Sequence, residues 1–277
     1  YTLWHTLSLH DALPIWHLWP QYLEQAGYNT YMCGKWHVKC KAEEAFQTTG
    51  HIRPGMPPDV KVQYDRPHEG KPDPFDPTDP SLGGFYTGGK HWSEVVGDEG
   101  IGFLEDAAQK DNPFFMYLAF NAPHDPRQSP QEYLDMHPLD GIKVPENFQP
   151  EHPDKDAIGC SASLRDERLG PFPRTEYAVK VHRQEYYAII SHADEQIGRI
   201  LDALETSGKA DNTYIFFTAD HGLAVGRHGL MGKQNMYEHS MKAPLIAVRP
   251  GIEAGKQILL LFIYCNFWIL TFNFPII

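Results

Sequence analysis

Apolar runs alternate with helix-like segments along this chain, and the main runs each end on a cluster of polar residues. Residues 28–33 form one run, and 114–120 a second, opened by Asn112-Pro113. Residues 213–219 and 244–248 form two more, the last closed by Pro250-Gly251. Continuous apolar runs of this length between turn residues read as strands buried on both faces. Helical patterns fall at 19–26, ended by Gly27, and at 93–109. The clearest helix spans 182–207. There Tyr186, Ile189, Ile190, Ala193, Ile197, Ile200, Leu201 and Leu204 recur at spacings of three and four, and Gly208 follows as a stop. Strands alternating with helices predict an α/β fold with a mainly parallel central sheet covered on both faces.

The chain of 277 residues is long enough for one such domain, expected over 16–256. Two Pro-, Gly- and Asp-rich stretches, at about 41–92 and 125–180, predict loop-rich insertions without regular structure. Both ends differ from the rest. Residues 1–15 have no basic start and no small-residue cleavage site, so they do not read as a signal peptide. They resemble a translated sequencing adapter, and we expect a foreign leader. Residues 257–277 are almost continuously apolar, but Asn266, Asn273 and Pro275 interrupt them and no basic flank follows. We expect a frameshifted or truncated tail there rather than a membrane span.

A net charge of −12 argues against nucleic acid or an anionic membrane as partner, because phosphate binding needs basic surface. An anionic substrate would need locally gathered positive charge. The four cysteines, Cys33, Cys40, Cys160 and Cys265, form no CxxC pair, which excludes the usual zinc and thioredoxin patterns. Cys33 lies within an apolar run and reads as a core residue.

In open α/β sheets, ligands bind beyond the carboxyl ends of the strands. Lys35 and His37 follow the first strand, His124 the second, and Asp220 and His221 the third, with Lys233 shortly after. Asp220 and His221 offer a carboxylate and an imidazole to a divalent cation. Lys35 and Lys233, each beside a glycine, can approach an anion as point charges. His37 and His124 can carry a proton near neutral pH. Taken singly, each of these side chains could equally be solvated or structural. Trp36, Tyr117 and Phe120 read as packing residues. His228, Glu238 and His239 could line a substrate pocket or cap loops.

The segments Gly34-Lys35-Trp36-His37, Ala119-Phe120-Asn121-Ala122-Pro123-His124, Thr218-Ala219-Asp220-His221-Gly222 and Gly232-Lys233 resemble, in order, four motifs of the sulfatases of the alkaline-phosphatase superfamily. The resemblance covers about 21–255 and implies an alkaline-phosphatase-like α/β/α sandwich. It implies that Lys35, His124 and Lys233 bind sulfate and that His124 protonates the leaving alcohol. It implies that His37 supports the nucleophile and helps release sulfate, and that Asp220 and His221 are metal ligands. The implied metal is Ca2+, with Mg2+ as the alternative. The implied substrate is a small-molecule or glycan sulfate ester, and the implied location is periplasmic or extracellular.

Two family features are not matched. The nucleophile of the family is a cysteine or serine in a C/S-x-P/A-x-R context, converted to formylglycine, and it precedes the Gly-Lys-Trp-His segment. Neither this motif nor the family's N-terminal aspartate pair is present before Gly34. Cys160-Ser161-Ala162-Ser163-Leu164-Arg165 sits downstream with its arginine one position late, and reads as coincidence. The expectation is therefore a sulfatase fragment that is inactive as it stands. A phosphoesterase of the same superfamily and a non-catalytic fragment are the alternatives.

Overall fold

The structure, a computed structural model, describes residues 18–57, 59–248, 251, 252 and 255, and the backbone of 269–273. The expected leader, 1–15, lies outside the described residues. A short helix, α1 (Trp19–Gln25), precedes β1 (Asn29–Lys35). Then come β2 (Thr48–Arg53), a hairpin of β3 (Tyr86–Thr87) and β4 (Lys90–His91), and helix α2 (Trp92–Ala108). Strand β5 (Phe114–Ala119), the short α3 (Gln131–Asp135) and the long α4 (Glu176–Thr206) follow. The described part closes with β6 (Thr213–Thr218), α5 (Glu238–Met241), β7 (Leu245–Val248) and β8 (Ile269–Asn273).

The main sheet has the order β2-β1-β5-β8-β6-β7. Strand β1 pairs in parallel with β2 and β5, while β8 pairs antiparallel with both β5 and β6. Strands β2, β1, β5 and β6 thus share one direction, and β7 runs antiparallel to β6. The mainly parallel sheet is as expected.

Both faces of β1 and β5 are buried, which explains their unbroken apolar runs. Tyr31, Cys33, Phe114, Met116 and Leu118 pack with Val96, Phe103 and Leu104 of α2 and Ile200 and Leu204 of α4. Met32, Phe115 and Ala119 point to the opposite face, against Phe46 and the partly buried Leu23 and Trp36. The side chains alternate with the period of two that a pleated strand imposes. Cys33 is fully buried and unpaired, as expected.

Two expectations need correction. Residues 41–92 are not wholly irregular, because 48–53 form the edge strand β2. Its sequence Thr48-Thr49-Gly50-His51-Ile52-Arg53 is largely polar and only partly buried, so it lacks an apolar signature. Helix α4 begins at Glu176, six residues before the predicted start, with the Thr175 hydroxyl accepting from the Ala178 amide at 3.1 Å. The buried face of its first turns carries His182 and Glu185, which breaks the apolar periodicity. Within the apolar tail, the backbone of 269–273 takes a place inside the central sheet as β8.

The start of α2 depends on a neutral histidine. His91 caps the helix: its Nδ1 accepts from the Ser93 amide at 3.1 Å, and its Nε2 donates to the Gln128 carbonyl at 3.1 Å. Its ring lies 4.6 Å from that of His192, and both are buried. Burial, with the adjacent His192, pushes His91 down from 6.5 to about 3. Burial pushes His192 down to about 4, against the pull of Glu195. Below pH 6.5 the unfolded chain takes up protons that the native state refuses, so the free energy of unfolding decreases as pH falls. We expect the urea midpoint to drop between pH 6.5 and about 4. The drop should shrink in His192→Gln, and an unchanged profile in that variant would contradict the assignment.

Candidate functional site

The carboxyl ends of β1, β5 and β6 open onto one cavity of about 150 Å³. Lys35, His124, Asp220, His221 and Lys233 all line it. Its apolar wall comes from α4, through Tyr186, Ile190 and Ile197. Part of the apolar stripe of that helix therefore faces the site as well as the core.

Lys35 is the last residue of β1. Before it, Gly34 has φ +95°, and a Cβ there would lie 2.0 Å from the Ala119 carbonyl oxygen. Only glycine lets β1 run this close to β5 at the mouth of the cavity. Burial lowers the Lys35 ammonium pKa. Asp220 opposes that shift, and the charges of Lys233 and Arg165 add to it.

His124 sits in the loop after β5. Its Nδ1 lies 3.0 Å from Asp125 Oδ1 and 3.0 Å from the Asp125 carbonyl oxygen, both acceptors. Its Nε2 is then the lone-pair nitrogen and accepts from Lys233 Nζ at 3.0 Å. Asp125 is buried and also accepts from Arg165 Nη1 at 2.7 Å. Burial alone would raise the pKa of Asp125. The hydrogen bond from His124 and the charges of His124, Arg165 and Arg127 instead hold it well below the usual carboxylate range. Arg165 also pairs with Asp166, which lies 3.8 Å from Lys233 Nζ.

The Lys233 loop is fixed by a carboxylate remote in sequence. Glu167 is fully buried and accepts from the amides of Met231 and Gly232, each at 2.9 Å. Its remaining charge is met by Arg174 Nη2 at 2.7 Å. Gly232 has no room for a side chain, since a Cβ would lie 2.8 Å from Asp166 Cβ.

Asp220 and His221 follow β6. His221 Nδ1 donates to the Gly222 carbonyl at 3.0 Å, leaving Nε2 3.4 Å from Asp220 Oδ2. Gly222 allows close approach of the backbone at His239, whose carbonyl oxygen would lie 2.0 Å from an added Cβ. One carboxylate and one imidazole are a partial donor set. Calcium takes about six to eight oxygen ligands, and the described residues hold no group of three or more His, Cys, Asp or Glu suited to a metal. These residues alone do not fit a complete calcium centre.

The sixth expected residue, His37, stands apart. It is exposed, with its ring beside Gly55, and does not line the cavity. Asp125, Arg165, Asp166 and Glu167 were missed by the sequence reading. Asp125 adjoins His124 and could have been found from that position. Arg165 belongs to the segment read as coincidence, and it does reach the site. Cys160 of the same segment is buried, with its Sγ directed to the Gln234 carbonyl at 3.3 Å.

The arrangement is that of an α/β protein gathering lysines, a proton carrier and a carboxylate–imidazole pair where parallel strands end, as a tetrahedral oxyanion would require. The family model Sulfatase matches residues 17–259, and the chain belongs to the sulfatase family, with its alkaline-phosphatase-like α/β/α fold. It is 36% identical over 151 residues to a sulfatase of Formosa agariphila, covering 53% of this chain and 29% of that protein. It is 32% identical over 173 residues to iduronate 2-sulfatase of Mus musculus, covering 57% of this chain and 30% of that protein. Among solved structures, a phosphonate monoester hydrolase from Silicibacter pomeroyi superposes with a TM-score of 0.62 at 21% identity, over 84% of this chain and 52% of that one. That likeness concerns the fold alone. The chain spans about a third of the length of these two curated relatives.

Replacing Glu167 by alanine should cost about 3–5 kcal/mol, because it strands the buried Arg174 charge and two amides. Urea denaturation of Glu167→Ala measures this. A loss below about 1 kcal/mol would show that the loop does not depend on this carboxylate.

Proposed function

We propose that this chain carries the sulfate-binding residues of a sulfuric ester hydrolase acting on a glycan or small-molecule sulfate ester. The observation that supports it best is the convergence of Lys35, His124 and Lys233 on one cavity beside Asp220 and His221. Two lysines can offset charge on sulfate oxygens where burial strengthens the attraction. His124 is oriented by Asp125 through Nδ1, so its Nε2 is the nitrogen that would first take up a proton from solvent and then pass it to the departing alcohol. The name of the iduronate-acting relative supports a sugar substrate for this chain.

Asp220 and His221 would contribute to the metal that the family resemblance implies, Ca2+ or Mg2+, together with donors beyond those described. A formylglycine nucleophile belongs to the same implied chemistry. None of the three described cysteines, Cys33, Cys40 and Cys160, lines the cavity. Among the described residues, those lining the cavity offer groups for anion binding and proton transfer, and no cysteine or serine for attack on sulfur. A role for His37 in sulfate release would require it to move from its exposed position. No helix among the described residues is long and apolar enough to cross a membrane. A periplasmic or extracellular site of action is part of the proposal.

Calorimetric titration with inorganic sulfate tests the reading without needing turnover. Lys35→Ala and Lys233→Ala should each weaken sulfate binding about tenfold, the worth of one charge-assisted contact. Unchanged affinity in both would remove the lysines from substrate binding. Parallel titration with inorganic phosphate addresses the phosphoesterase alternative. A lysine-dependent affinity confined to phosphate would favour that alternative over a sulfatase.

A further inference from the structure

A second cavity, of about 780 Å³, adjoins the first. Tyr186, Gly222 and Leu223 line both, so the two are neighbours across one wall. The larger cavity carries Arg183, Arg227 and Lys242 against a single carboxylate, Glu238. Lys242 lies 3.9 Å from that carboxylate. Among the described residues, neither arginine has a carboxylate within ion-pair distance, and the Nε of Arg183 is buried with no hydrogen-bond partner. The hollow thus holds two guanidinium groups without a carboxylate partner among the described residues, Arg183 being hydrogen-bonded to the Val225 carbonyl and the Tyr187 hydroxyl and Arg227 open to solvent.

The same cavity presents a stack of rings. His228 lies face to face with Tyr237, centroids 4.1 Å apart at 12°, and Tyr237 stacks on His239 at 5.5 Å. Burial and the nearby His152 and Arg227 charges lower the His228 pKa. Burial, with His228 and Arg227, lowers that of His239 to about 4. Both rings are therefore neutral at neutral pH, and Arg227 is the local positive charge. The loop beneath is held in a backbone form that side chains seldom adopt, with Val225 at φ 41° and His228 at φ 55°. Such geometry persists only where surrounding structure enforces it.

We propose that this cavity is a subsite for a second anionic group of the substrate, on the sugar unit adjoining the one whose sulfate ester lies at Lys35 and Lys233. The proposal rests on the sulfate-ester reading above and specifies its substrate class as a polyanionic saccharide. Guanidinium groups match the paired oxygens of a carboxylate or a sulfate, and stacked rings suit the apolar face of a pyranose. A volume of about 780 Å³ is that of a cleft for a ligand larger than a lone oxyanion.

Titration calorimetry with three probes tests it: 4-nitrophenyl sulfate, a disaccharide with one sulfate and one carboxylate, and a disaccharide with two sulfates and no carboxylate. Arg227→Ala is the first variant, since this side chain is exposed and its loss should leave the fold intact. The expected result is about a tenfold weakening for at least one disaccharide, no change for the aryl sulfate, and recovery of most of the loss in Arg227→Lys. The disaccharide that loses more identifies the second group as carboxylate or sulfate. Arg183→Ala should act in the same direction and provides an independent second variant. Equal weakening for all three probes, or unchanged disaccharide binding in both variants, would overturn the subsite. Failure of Lys233→Ala to weaken aryl sulfate binding would instead strike the sulfate-ester reading itself.

Discussion

The site depends on one buried carboxylate. Glu167 holds two amides of the 231–232 turn and the guanidinium of Arg174, all without contact with solvent. That turn delivers Lys233 to His124, and His124 is oriented by Asp125. Asp125 is tied through Arg165 to Asp166, the residue next to Glu167. The connections thus form a closed circuit that begins and ends in the 165–167 segment. Apart from Glu167, which opens a single 3-10 turn, the members stand in loops and are held by charge and hydrogen bonding.

A second buried pair does the same for the 41–92 stretch. Arg66 donates two bonds to Glu185 of α4, at 2.7 and 2.6 Å, and also pairs with Asp73. His182, one turn earlier on the helix, meets Arg127 and the Arg66 carbonyl. An apolar contact of equal volume could stabilise the fold as well, because desolvation offsets most of the attraction in a buried pair. What the ion pairs add is a fixed geometry. Both loop-rich stretches are pinned to α4 or to the Lys233 turn at defined points, so the cavity has defined walls although much of it is loop.

This division explains what could be read from the sequence. Strands β1 and β5 were legible because burial on both faces leaves an unbroken apolar run between turn residues, and the partly buried β6 carries a similar run. Lys35, His124, Asp220 and His221 were legible because they stand just past those runs, where the sheet must present them on one side. The start of α4 was hidden because its buried face there carries His182 and Glu185, which look like surface residues until Arg66 and Arg127 are in place. Strand β2 was hidden because an edge strand needs few apolar side chains. Arg165 and Glu167 were hidden for another reason: their partners lie 40 and 64 residues away, and no local pattern announces a contact that only the fold creates. His37 shows the converse. It stands two residues beyond Lys35 in a matching motif, yet the chain has already left the strand, and sequence proximity to the site does not bring it to the cavity.

On the proposed reading, the contact between Lys233 and His124 couples binding to proton transfer. Without substrate, the ammonium of Lys233 donates to His124 Nε2, the nitrogen that would face a leaving group. A sulfate oxygen carries more negative charge than an imidazole lone pair and is the stronger acceptor for that ammonium. An arriving ester therefore draws Lys233 to itself and frees the Nε2 lone pair, which can then take a proton from solvent for the leaving alcohol. Asp125 keeps the ring oriented throughout, because its own carboxylate stays ionised far below neutral pH. The proton carrier is thus occupied until an anion is present, and the group that recognises the anion is the one that unlocks it.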